Sequence, residues 1–249
     1  MTDHLQLGFS TQYSDAVFDR TGRSRKAEKV LAILRDNIGE LGERDLLDIG
    51  CAAGYMSHCY AMQFRQVAAF DIDLPAVSYA SKNCAATNLH FIVMDSQHLA
   101  FPDDHFDVVI CTHIYEHVPD AQLLISEIHR LLKQGGVCFF SAGNRIVLME
   151  PHYRLPLLSI IPKWLAHYYL RLTGRGTYYY ENHLTYWGLL ALTKQFQVFD
   201  YSLKVIDNTS QFAADDILKS GSMKQKFARW FARSCFWLCP TYLWVLKKV

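Results

Sequence analysis

The sequence predicts a doubly wound α/β fold: a mostly parallel, seven-stranded sheet with an α-helical, aromatic-rich insertion after the fifth strand. Three observations support this prediction. Short apolar runs alternate with stretches of helical periodicity, which is typical of a parallel sheet joined by helical crossovers. A glycine-marked turn follows the first apolar run. After residue 142 the alternation stops for about forty residues, which is too long for an ordinary loop.

Strands are predicted where apolar residues, many of them β-branched or aromatic, form short runs. Seven runs meet this description: Asp45–Gly50, Gln66–Asp71, Leu89–Met94, Phe106–Cys111, Gly136–Ala142, Gln197–Ile206 and Thr241–Lys247. Apolar residues at helical spacing predict helices around and between the strands. These helices cover Ser24–Leu41, Pro75–Ala86, Asp120–Leu132 and Leu184–Phe196.

A chain of 249 residues, 51% apolar and 20% charged, is expected to form one domain around one core. Its expected parts are an N-terminal helical cap at about 1–44, a core at 45–142, the insertion at about 143–182, and a C-terminal part at 183–249. The last part holds a second interruption, between Asp207 and Pro240.

Composition excludes several classes of protein. A net charge of +1 with mixed signs offers no extended basic surface, so nucleic acid is not expected as a partner. Seven scattered cysteines without a C-x-x-C pair favour reduced thiols and a cytoplasmic location. Residues 1–12 show no basic leader or apolar run, so export is not expected. Tyr153–Leu172 and Phe227–Val249 are apolar but broken by prolines and charges, so neither is expected to span a membrane.

The most informative segment, residues 46–55, reads LLDIGCAAGY: a buried strand, a turn and the start of a helix. Glycine lets a ligand approach the backbone closely and adopts conformations closed to other residues. The dinucleotide fingerprint G-x-G-x-x-G, counted from Gly50, fails at Ala52 and at Tyr55. An NAD-dependent oxidoreductase is therefore disfavoured, and a strand-to-helix turn without a ligand remains the structural alternative.

Carboxylates follow the next two predicted strands. Asp71 ends the second strand, where it could accept hydrogen bonds from two ribose hydroxyls, and Asp73 is the nearby alternative. Asp95 follows the third strand. For each carboxylate a purely structural role, as a helix cap or a turn residue, is the competing interpretation.

These segments in order resemble the class I S-adenosylmethionine-dependent methyltransferases, whose first motif reads acidic-x-Gly-x-Gly-x-Gly. Asp48, Gly50 and Gly54 match that motif, and Ala52 stands where the middle glycine is usual. Residues 99–109, 116–120 and 131–136 extend the resemblance. It implies a Rossmann-like methyltransferase fold, S-adenosyl-L-methionine as cofactor and S-adenosyl-L-homocysteine as product. The cofactor-binding residues that it implies are Asp48, Gly50, Cys51, Ala52, Gly54, Tyr55, Asp71, Ile72, Asp95, Ser96, Thr112 and His113.

Residues 113–117 read HIYEH and match the zinc-protease pattern H-x-x-E-H. That pattern requires a helix, whereas this segment leaves a predicted strand directly and runs into Val118-Pro119. No third ligand follows it, so no metal site is expected. Because the carboxyl ends of parallel strands line the ligand crevice, Thr112–His117 is expected to face the cofactor and the acceptor.

The reaction implied by the resemblance is in-line displacement on the sulfonium methyl group. An alcohol or phenol acceptor must lose its proton, and histidine has a suitable pKa for this near neutrality. The catalytic candidates are His117 first, His113 second and His152 third. A packed histidine that is bonded to backbone is the alternative for each of them.

The motifs are similar to the small-molecule and quinone-type branch of the family, and the chain lacks the Asn-Pro-Pro-aromatic motif of amine methylation. O-methylation of a small phenol, quinol, sugar or lipid-like acceptor is therefore predicted. C-methylation of a quinone-like acceptor and a non-catalytic module that binds the cofactor or its product are the alternatives. Basic residues beside apolar ones in the C-terminal half are compatible with a peripheral membrane contact or with a solvated surface. The oligomeric state is not indicated.

Overall fold

The structure, a computed structural model, describes Ser10 and residues 14–249. The other residues include most of the N-terminal stretch in which no export signal was expected and the first part of the predicted N-terminal cap. Those two predictions therefore lie largely outside the described residues.

Helices and strands alternate through the described chain. The helices are α1 (Ser14–Val17), α2 (Arg20–Ile38), α3 (Tyr55–Ala61), α4 (Leu74–Asn83), α5 (Ala121–Leu131), α6 (Lys163–Thr173), α7 (Tyr186–Leu192), α8 (Ser202–Asp207) and α9 (Met223–Ser234), with a 3₁₀ turn at Phe236–Leu238. The strands are β1 (Asp45–Ile49), β2 (Gln66–Asp71), β3 (Leu89–Val93), β4 (Phe106–Thr112), β5 (Leu132–Gly143), β6 (Met149–Glu150), β7 (Leu155–Pro156), β8 (Gln197–Asp200) and β9 (Thr241–Lys247).

Seven strands form one sheet in the order β3-β2-β1-β4-β5-β9-β8. Strands β1 to β5 pair in parallel, and β9 runs antiparallel to both β5 and β8. This confirms the predicted fold class. The strand order reverses between β1 and β4, and in such sheets the ligand crevice lies outside the carboxyl ends of the strands at that point.

The two faces of the sheet are covered by different helices. Along β4, Val108 and Ile110 face one apolar cluster, which includes buried residues of α2 and α3. Val109 and Cys111 face the other, which includes buried residues of α5 and α7. Successive strand residues point to opposite faces, so a central strand that is covered on both faces has consecutive apolar residues, as residues 108–111 do.

One predicted strand is wrong in its second half. The strand expected at Gln197–Ile206 ends at Asp200, and α8 follows at once. The Asp200 carboxylate accepts the N–H of Ser202 at 2.8 Å and turns the chain. Such a side-chain-to-backbone bond offers the backbone an alternative to the sheet, and a pattern of apolar residues does not reveal it.

Helix ends also differ from the predictions. Helix α2 begins before Ser24 because the Asp19 carboxylate accepts the N–H of Gly22, and it ends before Leu41 because Gly39 adopts a φ of 73°. Leu132, predicted as the end of a helix, begins β5 instead, and the helix predicted to begin at Leu184 begins after Thr185, whose hydroxyl accepts the N–H of Gly188.

The insertion after β5 has an apolar cluster of its own, and its aromatic residues divide between packing and exposure. Tyr153 and Tyr179 are buried in this cluster, whereas Trp164 and Tyr168 are exposed. At the end of the insertion, the backbone N–H of residue 182 donates to the carbonyl of Glu116. The backbone N–H of residue 184 donates to the hydroxyl of Tyr115. Both acceptors lie in the loop after β4, so these bonds tie the end of the insertion to that loop. Within residues 14–249, none of the helices has the length and apolar character needed to cross a membrane.

Candidate active site

The turn between β1 and α3 has an unusual backbone. Gly50, Ala52 and Gly54 have φ angles of 76°, 47° and 77°, all in the left-handed region. The N–H groups of Gly50 and Cys51 both donate to the carbonyl of Phe70 on β2. Glycine adopts this region freely, but the Cβ of Ala52 makes it unfavourable there. Ala52, which stands where glycine is usual, therefore introduces local backbone strain.

Asp71 is the carboxylate that holds this turn. It accepts the N–H of Ala52 at 2.9 Å and the N–H of Asp73 at 3.0 Å, and burial raises its pKa. Asp73, the alternative candidate, instead accepts the N–H of Ser10 at 2.7 Å through one oxygen. Its other oxygen is buried without a hydrogen-bond partner in the described chain.

Asp48 lies beneath the turn. It is 4% exposed and accepts a hydrogen bond from the hydroxyl of Ser57 at 2.6 Å. Burial raises its pKa to about 7, and the charge of Asp71 acts in the same direction. The guanidinium of Arg23, on α2, lies close enough to both carboxylates to interact with them electrostatically. Sequence analysis did not select Arg23, which lies outside every motif.

The remaining predicted cofactor-binding residues differ in burial and in hydrogen bonding. Asp95 accepts the N–H of Gln97 at 3.0 Å, as a turn residue does. The hydroxyl of Tyr55 lies 2.7 Å from that of Tyr79 on α4. Ile72 and Ser96 are half-buried, and Cys51 is buried.

Residues 113–119 form a turn with no helix, as expected from Pro119. His113 has a φ of 55°, and both of its ring nitrogens have partners. Its Nδ1 lies 3.2 Å from Glu116 Oε1, and its Nε2 lies 3.1 Å from the hydroxyl of Ser141. Thr112, just before it, has a buried hydroxyl without a hydrogen-bond partner in the described chain.

Ile114 joins this turn to the glycine turn. A Cβ atom added to Gly50 would collide with Cδ1 of Ile114, so the side chain lies directly against the glycine. The loop after β4 therefore reaches the turn after β1, as neighbouring strands at the switch point predict.

Three carboxylates and three histidines lie near one another, two of them in the same loop as Ile114, and we call them the histidine–carboxylate cluster. Glu150 Oε1 lies 2.7 Å from His152 Nδ1 and 3.7 Å from His183 Nε2. The ring of His152 meets that of His117 edge to face at 5.0 Å. The members of the cluster are Glu116, His117, Glu150, His152, Glu181 and His183.

Glu116 and Glu150 are ionised although both are buried. Burial alone would raise the pKa of Glu116, but the hydrogen bond from His113 and the neighbouring imidazoles lower it to about 2. Burial is likewise outweighed at Glu150 by the hydrogen bond from His152, by the neighbouring imidazole of His183 and by the N–H of Tyr153, which lower its pKa to about 2. Burial lowers the pKa of His117 to about 4, so that ring is uncharged at neutral pH.

The structure thus brings together His113, His117 and His152, the three catalytic candidates, and adds partners that sequence analysis missed. Glu150 and Glu181 come from the insertion, and His183 is the first residue after it. The available signal was a repeated Glu-x-His pattern, at 150–152 and again at 181–183.

Comparison with known proteins finds similarity to methyltransferases. Residues 47–140 match the family model described as a methyltransferase domain. Ubiquinone biosynthesis O-methyltransferases of Psychrobacter arcticus and Nitrosomonas europaea are 32% and 33% identical over 58% and 59% of the chain. Over residues 47–140 the chain is therefore similar to the class I S-adenosylmethionine-dependent methyltransferases. It spans only 55% and 60% of the length of those two relatives, and 75% of a 29% identical counterpart in Azotobacter vinelandii.

Solved structures share the methyltransferase fold. An S-adenosylmethionine-dependent methyltransferase from Mesorhizobium loti aligns with a TM-score of 0.57 at 17% identity, covering 88% of this chain and 97% of that one. The N-methyltransferase NodS from Bradyrhizobium japonicum, in complex with S-adenosyl-L-homocysteine, aligns with a TM-score of 0.53 at 13% identity, covering 93% and 90%. At these identities the likeness concerns the fold.

The cofactor that this similarity implies is S-adenosylmethionine, and the residues at the carboxyl edge of the sheet fit it. Asp71 ends β2 as a carboxylate, which suits a ribose diol, and Arg23 supplies a cation that suits a carboxylate. Asp73 and Thr112 bring buried polar atoms that lack hydrogen-bond partners in the described chain, as a polar ligand requires. The methyl group of Ala52 narrows the turn but leaves its N–H bonded to Asp71.

Proposed function

We propose that this protein transfers the methyl group of S-adenosylmethionine to an oxygen atom of a small, largely apolar acceptor such as a phenol or quinol. The observation that carries the proposal is the contact between Ile114 and Gly50. This contact joins the glycine turn at residues 50–54, called the cofactor turn from here on, to the loop that leads into the histidine–carboxylate cluster. The name shared by the relatives, ubiquinone biosynthesis O-methyltransferase, supports oxygen as the target atom.

When bound, the cofactor supplies an electrophilic methyl group. The chain's own residues then have two tasks: alignment of the acceptor and removal of its hydroxyl proton. His117 is the proposed proton acceptor because it belongs to the same loop as Ile114, which contacts Gly50, and because its ring meets that of His152. His113 is less suited, since Glu116 and Ser141 occupy both of its ring nitrogens. His152 is held by Glu150 and is better suited to positioning.

The direct test is a methyl-transfer assay with isotopically labelled cofactor and a panel of catechols, phenols, quinols and sugars. An O-methylated product, identified by mass spectrometry and NMR, is the expected outcome. A C-methylated product would instead favour the quinone alternative. Micromolar binding of S-adenosylmethionine and S-adenosylhomocysteine without turnover on any acceptor would favour a non-catalytic binding module.

We also propose that helix α9 contacts a membrane surface peripherally and so gives access to a lipid-soluble acceptor. Met223, Phe227 and Trp230 are 77%, 64% and 63% exposed, and their spacing aligns them along one face of the helix. Lys224, Lys226 and Arg233 add positive charge beside this face. An apolar face with basic flanks is the pattern of interfacial helices.

Co-sedimentation with vesicles that contain anionic lipid tests this contact. The double variant Phe227→Ala/Trp230→Ala should lose most of the binding, whereas Met62→Ala, which removes an exposed apolar side chain elsewhere, should keep it. Equal binding by both variants would remove α9 from the proposal. A cytoplasmic location is proposed as well, supported by seven cysteines that are all free.

A further inference from the structure

The histidine–carboxylate cluster contains a set of donors with metal-ligand geometry. Oxygen of Glu150 and nitrogens of His152 and His183 all lie within 4.8 Å of one another. Two of the separations, 2.7 and 3.7 Å, bracket the ~3–3.5 Å expected between ligands whose bonds to a metal are about 2.0–2.2 Å long. Small shifts of the side chains would therefore complete a coordination sphere.

The charges of the cluster also favour a bound cation. Glu116, Glu150 and Glu181 are 0%, 0% and 1% exposed. The ion pairs of Glu116 and Glu150 in the described chain are with histidines. Because buried carboxylates are costly unless they are paired, a divalent cation would stabilise this arrangement.

The surroundings hold these donors in place. The second oxygen of Glu150 accepts the N–H of Tyr153 at 2.7 Å, which fixes the carboxylate while the first oxygen faces the histidines. A Cβ atom at Gly143 would lie 3.2 Å from the ring of His183, so the glycine at the end of β5 leaves room for that imidazole. Such partners orient ligands at metal sites.

We infer that Glu150, His152 and His183 bind a divalent transition-metal ion. Two imidazoles and one carboxylate are the donors of catalytic zinc sites with an open position, and imidazole disfavours magnesium and calcium. Sequence analysis expected no metal because no third ligand follows residues 113–117. In the structure two ligands come from the insertion and the third, His183, directly follows it, and a helical H-x-x-E-H pair is not involved.

The role of the ion rests on the proposed function. A hydroxyl oxygen of the acceptor would occupy the open position, where the ion lowers the pKa of the hydroxyl. The O–H bond breaks and its proton passes through His117 to solvent. The oxygen then forms the new O–CH₃ bond, while the S–CH₃ bond breaks and its electron pair stays on the neutral thioether sulfur.

A second set of donors, His117, His152 and Glu181, overlaps the first at His152. We favour the first set because Glu150 already contacts both of its histidines, at 2.7 and 3.7 Å. The choice is testable, since Glu150→Gln and Glu181→Gln make the same chemical change to two buried carboxylates.

The experiment uses the full chain, dialysed against a chelator and then titrated by calorimetry with Zn²⁺, Co²⁺ and Mg²⁺, without cofactor or acceptor. We expect one Zn²⁺ or Co²⁺ per chain, visible cobalt absorption bands, and at least hundredfold weaker Mg²⁺ binding. Glu150→Gln and His183→Ala should weaken Zn²⁺ binding at least tenfold, and Glu181→Gln and the exposed-site control His90→Ala should not. His183→Cys should add a thiolate-to-cobalt charge-transfer band.

Each result has a defined meaning. Absence of Zn²⁺ and Co²⁺ binding by the wild-type chain overturns the site. Loss of binding in Glu181→Gln with retention in Glu150→Gln overturns the choice of ligands. S-adenosylmethionine binding, measured on the same samples, reports whether each variant is folded. Metal binding without methylation of any acceptor would contradict the proposed function alone. Methylation of an acceptor without metal binding would contradict this inference alone.

Discussion

The two sides of the candidate site are built in different ways. The cofactor turn is one contiguous stretch, and its backbone carries its geometry: left-handed residues at 50, 52 and 54, and N–H groups directed at Asp71 and Phe70. The histidine–carboxylate cluster depends on side chains from segments that are distant in sequence and meet only because the insertion folds onto β4 and β5. A contiguous motif can be identified from sequence, whereas a cluster of distant side chains needs the folded chain.

The largest expected effect is on the acceptor side. His117→Ala should slow methyl transfer at least about a hundredfold because the acceptor loses its proton acceptor, while cofactor affinity stays within about twofold. Single-turnover rates and cofactor titration measure the two quantities. Zinc content, determined on the same samples, should match that of the wild type. A rate equal to that of His90→Ala would return His117 to a structural role.

On the cofactor side, Asp71→Ala should weaken S-adenosylmethionine binding by about 1.5–3 kcal/mol, or roughly ten- to a hundredfold. The substitution removes the proposed ribose acceptor and also the partner of the N–H groups of Ala52 and Asp73. Calorimetric titration gives the affinity. Asp95→Ala, which removes a carboxylate bonded to a neighbouring turn N–H, should cost less. If the order is reversed, the second strand does not carry the ribose site.

The sequence was more informative about the strands and the contiguous turn than about the cluster of distant side chains. Buried runs bounded by turn residues placed six of the seven main strands within a few residues, but Gln197–Ile206 was misjudged because the Asp200 carboxylate turns the chain. The turn at residues 50–54 was located from local spacing, and its cofactor role stays a prediction. Glu150, Glu181 and His183 were missed because their approach depends on how the apolar cluster of the insertion packs, and short motifs carry no information on that packing.

Buried carboxyls on the two sides of the site also differ in their hydrogen-bond partners. This difference predicts how the free energy of unfolding depends on pH. Asp48 has a hydroxyl partner and a pKa raised to about 7, so the folded chain binds a proton there that the unfolded chain releases near pH 4. This contribution to stability is complete below about pH 4 and is lost as pH rises towards 7. The wild-type free energy of unfolding, relative to Asp48→Asn, should therefore fall by about 1 kcal/mol per pH unit across that range.

Chemical denaturation of the cofactor-free chains at pH 4.5, 6 and 7.5 measures this difference. The Asn amide leaves a buried donor at every pH, so the slope rather than the level is the test. Parallel stability curves for the two proteins would show that Asp48 is ionised throughout, and that Arg23 stabilises its charge more than burial opposes it.

The smallest expected effect concerns backbone strain in the cofactor turn. Ala52 has a φ of 47°, so Ala52→Gly should relieve strain, and the added freedom of the unfolded chain should offset part of the gain. The net result should be a stabilisation of up to about 1 kcal/mol, with somewhat tighter cofactor binding because a methyl group leaves the turn. Ala53→Gly is the matched control: Ala53 is buried and is not among the residues with positive φ, so the same change should destabilise the chain by about 0.5–1 kcal/mol. Opposite signs for two adjacent alanines would establish that the turn is held in a strained conformation, and equal destabilisation would show that Ala52 occupies its left-handed conformation without strain.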